Sequence, residues 1–338
     1  MEIDDRKMKG ASPYVIEGHV VPRGSVDALH PAPPGVADRW QAAVKAAGEH
    51  DLAGASSHWS WIATRVRDDA ARLWAIEQLC ISRPYPGPPP SPIEQTTLTG
   101  YAEVEPIEVL PGASVILAWP KEYAANTPTR WRFLAEMDAA LDWLREWTGS
   151  DQVASRGRRL IVRFRTDEGG TALFVDFRLH IPRKEMRCPP DHGPYSHEAS
   201  HGFIGFPAIC PTGRYAEGLT EVSRTSYWWF LGLDDSWRPF RQNCIQGLGT
   251  HIEKGGKLDA VPSYGAAASV YLRIEEAVRE GKGDEPDWSL FTKLFEAARG
   301  VDVAKDTPAP ERFRVFAEIC GKAFGAKAGD LLKKWGLP

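Results

Sequence analysis

The sequence has no apolar run approaching 18 residues, so it offers no stretch long enough to cross a bilayer as a helix. It also lacks a secretion signal, because its opening Met1-Glu2-Ile3-Asp4-Asp5-Arg6-Lys7 is polar where a leader would be apolar. That points to the cytoplasm, with secretion left open for a chain whose leader has been removed. There is no large excess of charge of either sign. A net charge of -4 with 25% charged residues argues against nucleic acid as the main partner, and no membrane partner is expected. Cys-x-x-Cys spacing is missing. Cys80, Cys188, Cys210, Cys244 and Cys320 are scattered and odd in number, so neither a disulfide framework nor a cysteine zinc site is indicated. Cys188 and Cys210 flank the stretch discussed next and are expected to be structural or free thiols.

What is present is concentrated at Tyr195-Ser196-His197-Glu198-Ala199-Ser200-His201-Gly202-Phe203, which contains His-Glu-x-x-His. On a helix, residues four apart share a face, so His197 and His201 project side by side. Two imidazoles in that geometry can bind one Zn²⁺, and Glu198 falls beside the same face, placed to accept a proton from a metal-bound water. The alternative is an ordinary surface helix carrying two His and a Glu. A catalytic zinc needs a third protein ligand. Arg214-Tyr215-Ala216-Glu217-Gly218-Leu219-Thr220-Glu221 supplies two candidates. Glu217 and Glu221 are again four apart. One can ligate the metal while the other accepts the free N–H of a ligating histidine and fixes its tautomer.

These segments resemble the gluzincin metallopeptidases, in which His-Glu-x-x-His is followed by a Glu on a second helix. Tyr215-Ala216-Glu217-Gly218-Leu219 is similar to the aromatic-x-Glu-Gly-hydrophobic segment of aminopeptidase-type and plant basic-secretory-type members. That likeness implies Glu217 as ligand and Glu221 as its outer partner. Gly193-Pro194-Tyr195-Ser196-His197-Glu198 and Gly218-Leu219-Thr220-Glu221-Val222 are similar to the enhancin and mucin-degrading members, which would choose Glu221 instead. Glu217 is preferred, because it leaves a carboxylate four residues on for the outer shell, whereas Glu221 would have Thr225 there.

Along the chain, 338 residues with 43% hydrophobic content are enough for a core and two lobes. Tyr14-Val15-Ile16 reads as a short strand. Asp38 opens a helix through about Ala47, and a second helix runs from about Ser57 to Leu79 with Trp59, Ile62, Val66, Leu73 and Ile76 as its apolar stripe. The run Pro84 to Pro92 cannot continue a helix and serves as a linker or wall. Residues 96–119 alternate as β-structure through Tyr101, Val104, Ile107 and Val109, then Val115 to Trp119, with Pro111-Gly112 as a turn. An amphipathic helix from Thr129 to about Trp147 stops at Gly149. Leu160 to Phe164 and Ala172 to Leu179 are expected to form a hairpin about Glu168-Gly169-Gly170.

The order helix, hairpin, zinc-binding helix resembles the gluzincin catalytic domain. That resemblance implies a substrate strand at 171–181, with Phe174, Asp176 and Arg178 touching an extended substrate. His180 and His192 are expected in loops or in an outer shell. After Glu221 the chain turns aromatic, with Tyr227-Trp228-Trp229-Phe230, Trp237 and Phe240. Thirteen tryptophans are well above ordinary usage; bulky aromatics at helical spacing are core by default, and a cleft for a sugar or an aromatic side chain is the secondary idea. His251 follows a Gly-rich turn. Aminopeptidase-type gluzincins carry a Tyr before a Gly-containing helix, which by similarity makes Tyr264 the donor to an oxyanion. The last third reads as helices at Val270–Val278, Trp288–Ala298, Glu311–Ala323 and Ala328–Trp335.

The expectation is an α+β protein. Residues 1–95 form an N-terminal α/β accessory region ending in the Pro-rich linker. Residues 96–250 form a zincin-like catalytic domain, a small mixed sheet with zinc-binding helices, and 251–338 an all-helical C-terminal lobe. The resemblance implies one Zn²⁺ per chain, cleavage of peptide bonds with Glu198 as base and then acid, and a peptide or glycopeptide substrate. Open alternatives are a zinc enzyme acting on a small non-peptide molecule or natural-product intermediate, a glycan-dependent O-glycopeptidase, and a binding protein with a degenerate site. The sequence does not indicate the oligomeric state.

Overall fold

Apolar periodicity, helix caps and positive-φ turns account for most element boundaries. The structure, a computed structural model, describes residues 14–16, 19–21, 32–83, 86–102, 106–121, 127–164, 172–181, 192–279 and 285–337. It is a mixed α+β chain, mostly helical, with a small sheet. Among the described residues no helix is long and apolar enough to cross a membrane. The chain divides into two compact units. One comprises Met1–Trp143, Gln152–Tyr195 and Phe230–Gly232, and the other Leu144–Asp151, Ser196–Trp229 and Leu233–Pro338.

The first unit opens with strands β1 (Tyr14–Ile16) and β2 (His19–Val21), which pair antiparallel. Helices α1 (Ala37–Gly48), α2 (Leu52–Ala63) and α3 (Asp69–Ser82) follow. Asp38 lies in the first turn of α1 rather than at its cap, which is Val36. The single helix expected from Ser57 to Leu79 is two helices, broken at residues 64–68. Asp68 accepts the Ala71 N–H and starts α3 as an N-cap, just as Asp51 accepts the Gly54 N–H and starts α2. Folding back lets Trp40, Trp59 and Trp74 meet. Trp40 and Trp74 stack at 4.8 Å, and Trp59 meets them edge-on at 5.2 and 5.1 Å.

Residues 92–102 are helix α4 (Pro92–Ala102), not strand. Pro92 fits the first turn because a missing N–H costs nothing there. Glu94 accepts the Ser91 N–H, a capping box that outweighs the β-like alternation. The β-structure begins later, at β3 (Ile107–Pro111) and β4 (Val115–Pro120). The proline run is pinned. Buried Arg159 donates to the carbonyls of Pro88, Pro89 and Gly112 and to both oxygens of Glu94. Pro84 and Tyr85 lie outside the described residues.

Helices α5 (Thr127–Thr148) and α6 (Gln152–Arg156) lead to β5 (Leu160–Phe164), then β6 (Leu173–Phe174) and β7 (Arg178–Ile181). The five-stranded order is β3-β4-β5-β7-β6, with β4, β5 and β7 mutually parallel and β3 and β6 antiparallel at the two ends. The expected hairpin between Leu160–Phe164 and the following strand is therefore corrected, and its turn at 168–170 lies outside the described residues. β5 pairs in parallel with β7, and the hairpin is β6–β7. Its two-residue turn, Asp176-Phe177, has both φ angles positive (49° and 56°), and Val175 and Arg178 exchange backbone hydrogen bonds across it. The core of this unit lies under β4, whose six residues are all buried.

The second unit holds most of α7 (Gly193–His201), a 3-10 turn (Pro207–Ile209), and most of α8 (Gly213–Phe230). Then come α9 (Asp234–Glu253), α10 (Tyr264–Val278), α11 (Trp288–Ala298), α12 (Ala309–Phe324) and α13 (Ala326–Lys334). The last four match the helices expected from periodicity. α9 was not anticipated, since Pro239, Gly247 and Gly249 interrupt its pattern. The aromatic surplus is largely core. Tyr215 meets Tyr271, Phe313 and Phe316 at 5.4–6.0 Å, and Trp147 meets Trp288, Phe291 and Phe295. Trp228, Trp229 and Trp237 are buried.

Candidate metal centre

One face of α7 is built of small residues. Ser196, Ala199 and Ser200 are fully buried, and the Ser200 hydroxyl donates back to the Ser196 carbonyl. His197 and His201 share another face of the helix, and their rings stand 5.0 Å apart at 85°. α8 is fixed by its own anchors. Tyr215 is buried and its hydroxyl donates to the Leu258 carbonyl. At Gly218 a Cβ would come within 2.6 Å of the Ala267 Cβ and 2.7 Å of the Ala268 nitrogen, so only glycine lets α8 and α10 approach this closely.

The result is a convergence of donors. Glu217 Oε2 lies 3.3 Å from His197 Nε2 and 3.5 Å from His201 Nε2. One ligand atom from each of the three falls within 4.8 Å of the other two, which among the described residues is the one such group. Tetrahedral ligands about 2.0–2.1 Å from zinc stand roughly 3.3–3.4 Å apart, so this spacing and this donor chemistry fit the ion. The outer face of each ring is also engaged by α8. His197 Nδ1 lies 3.1 Å from Glu221 Oε1, and His201 Nδ1 lies 3.3 Å from Thr220 Oγ1, whose own proton goes to the Ala216 carbonyl. Both Nε2 atoms are thereby left to the Glu217 side.

The electrostatics differ between the two rings. Burial pushes His197 down, but the Glu221 carboxylate beside its Nδ1, with the charges of Glu198 and Glu217, outweighs it and raises its pKa above the usual value. Burial, reinforced by the neighbouring His197 charge, lowers His201 to about 4, so it is neutral at physiological pH. Burial also opposes ionisation of Glu221, yet His197 and Arg224 prevail and hold its carboxyl below the usual range.

The other expected site residues fall as follows. Glu198 follows His197 on α7 and is half-buried. Tyr264 is the first residue of α10, half-exposed, one turn before the Ala267 and Ala268 that back Gly218. Phe174, Asp176 and Arg178 belong to the first unit, whereas the His–Glu cluster is built wholly in the second. Asp176 is bound by Arg156 and Arg158 at the β6–β7 turn, Arg178 Nε donates to the Val175 carbonyl, and Phe174 meets the Phe177 ring. His180 is on β7. His192, in the first unit, is held by Glu136 Oε2 at 3.0 Å and packs on Phe133. His251 Nε2 contacts the Lys257 carbonyl oxygen. Cys80, Cys210, Cys244 and Cys320 are free thiols, and Cys188 lies outside the described residues. Sequence reasoning missed Thr220 and Arg224. Thr220 sits three residues after Glu217, which places it on the histidine-facing side of α8 and was a readable signal.

No family model matches the chain, and no curated protein does. Among solved structures it is similar to a mutant of a functionally unknown conserved protein from Bacillus anthracis strain Ames, with a TM-score of 0.50 at 12% identity, covering 71% of this chain and 51% of that one. A second structure, of a functionally unknown conserved protein from the same strain, gives a TM-score of 0.48 at 12% identity over 72% and 55% of the two chains. This chain thus spans about half the length of the structures it matches. The likeness is one of fold and carries no activity with it.

Proposed function

We propose that the protein is a zinc-dependent hydrolase that cleaves peptide bonds, with a catalytic region of the gluzincin type. The observation that supports this best is the single Glu217 oxygen facing the Nε2 atoms of both histidines. His197, His201 and Glu217 are the proposed ligands, and Glu221 the partner that orients the His197 ring. Bound there, Zn²⁺ would act as a Lewis acid and bring a coordinated water toward neutral pKa. Glu198 would take the proton of the attacking water and deliver it to the leaving amine, the two tasks one carboxylate can perform in amide cleavage. Thr220 would keep His201 in the tautomer that presents Nε2. Tyr264, half-exposed at the start of α10, is the proposed hydrogen-bond donor to the developing oxyanion.

The test is elemental analysis of wild type, Glu217→Ala and Glu221→Ala, with zinc affinity measured by chelator competition. Wild type should hold one zinc. Glu217→Ala should lose more than about 100-fold in affinity, and Glu221→Ala about 10- to 100-fold, the range for an outer-shell partner. No zinc in wild type would mean that the cluster is a hydrogen-bonded structural feature. The larger loss in Glu221→Ala would exchange the roles of the two carboxylates.

A further inference from the structure

Glu221 has two oxygens and uses them in opposite directions. Oε1 lies 3.1 Å from His197 Nδ1, and Oε2 lies 3.2 Å from Arg224 Nη1. Arg224 is three residues on along α8, and an exposed ion pair at that spacing contributes little and holds nothing still. This one is not exposed in the usual sense, since the side chains of Arg224 and Glu221 retain 23% and 11% of their surface. The guanidinium is also clamped. It lies 4.2 Å from the ring centre of Trp228 on α8 and 5.1 Å from that of Phe240 on α9, and the two rings meet edge-on at 5.7 Å. A cation held between two perpendicular aromatic rings has a restricted position. The Thr225 hydroxyl donates to the Glu221 carbonyl and steadies the same turn.

A continuous line of contacts therefore runs from Phe240 and Trp228 through Arg224 and Glu221 to His197. We propose that Arg224, held by Trp228 and Phe240, is a positioning residue that fixes the Glu221 carboxylate and so aims His197 Nε2 at the metal. The inference rests on the zinc reading above. Arg224 touches neither metal nor substrate in this account. It acts through Glu221, and its effect should disappear when Glu221 can no longer pass it on.

The experiment is a double-mutant cycle read by zinc affinity in chelator competition, with folding checked by circular dichroism. The proteins are wild type, Arg224→Met, Arg224→Lys, Phe240→Leu, Glu221→Gln and the double variants of each with Glu221→Gln. Arg224→Met should weaken zinc about ten-fold, within the range for outer-shell changes. Arg224→Lys keeps the charge but not the broad guanidinium that reaches both rings, and should recover part of that loss. Phe240→Leu should fall in between. In the Glu221→Gln background none of the three should cost more than about two-fold, the tolerance of independent sites. Affinity for Arg224→Met within about two-fold of wild type, or an equal loss with and without Glu221, overturns the inference. Should Arg224→Met not fold, Arg224→Lys and Phe240→Leu decide by the same cycle. A wild type that takes up no zinc overturns the metal centre and this inference with it, whereas retained zinc without coupling overturns the inference alone.

Discussion

At the scale of single residues, the sequence placed His197 and His201 on one helix face with Glu198 beside it. His197, Glu198 and His201 stand in a pattern whose chemistry depends only on helical spacing, and α7 supplies that spacing. Arg224 had no such signal, because its partners Trp228 and Phe240 lie on two helices and one of those was not expected. The sharpest residue-level prediction concerns Glu198. Glu198→Gln keeps shape and removes the base, so zinc content should stay at the wild-type level while peptide turnover falls by about 10²- to 10⁴-fold. Turnover close to wild type, measured on a peptide library with zinc content checked in parallel, would remove Glu198 from the mechanism.

At the scale of elements, strong periodicity was legible and its interruptions were not. The residues of α11 were expected to the residue, since Asp287 caps it and an apolar face runs its length. The break between α2 and α3 contains neither Gly nor Pro, and the apolar stripe continues through Val66, so only Asp68 marked it. The β6–β7 turn hid for a related reason, since Asp176 and Phe177 adopt positive φ without a glycine between them. Two glycines of α8 make a test of element packing. At Gly218 a new Cβ meets Ala267 and the backbone of Ala268, whereas at Gly213 it meets nothing within 4 Å. Gly218→Ala should cost about 1–3 kcal/mol as overpacking and weaken zinc by displacing Glu217. Gly213→Ala should be nearly neutral. Thermal melts and zinc competition on the pair would show it, and equal behaviour of the two would remove close helix packing as the reason for glycine at 218.

At the scale of the whole molecule, pH should act on the first unit through its buried charges. Glu94 is 3% exposed and binds Arg159 with both oxygens. Burial opposes its charge, but hydrogen bonds from the Arg159 side chain and from the backbone of Arg159 and Ser91 prevail and hold its pKa at about 2, against an ordinary 4.5. A depressed folded pKa stabilises the charged state. The contribution is complete above about pH 4.5 and is lost as pH falls toward 2, amounting to about 3 kcal/mol. Glu94→Gln should lower stability at pH 7 by a similar amount, since it leaves Arg159 buried without its counter-charge. The deficit should shrink in denaturant melts taken from pH 5 to pH 2. A deficit unchanged over that range would mean that the pair stabilises by packing rather than by charge. The units themselves were not legible, because each gathers segments distant in the chain.

The sequence by itself determined that two histidines share a face and that two glutamates share another, because a four-residue spacing is a property of the helix and needs no neighbour. It could not say which glutamate meets the histidines. Both lie on one face of α8, so local periodicity treats them alike. That choice lies in how α8 stands against α7, while buried Tyr215 and the close contact at Gly218 fix α8 in turn against the helices behind it. That arrangement puts Glu217 opposite both Nε2 atoms and Glu221 behind the His197 ring. Contacts of that kind depend on packing between segments, and no one stretch of sequence contains them.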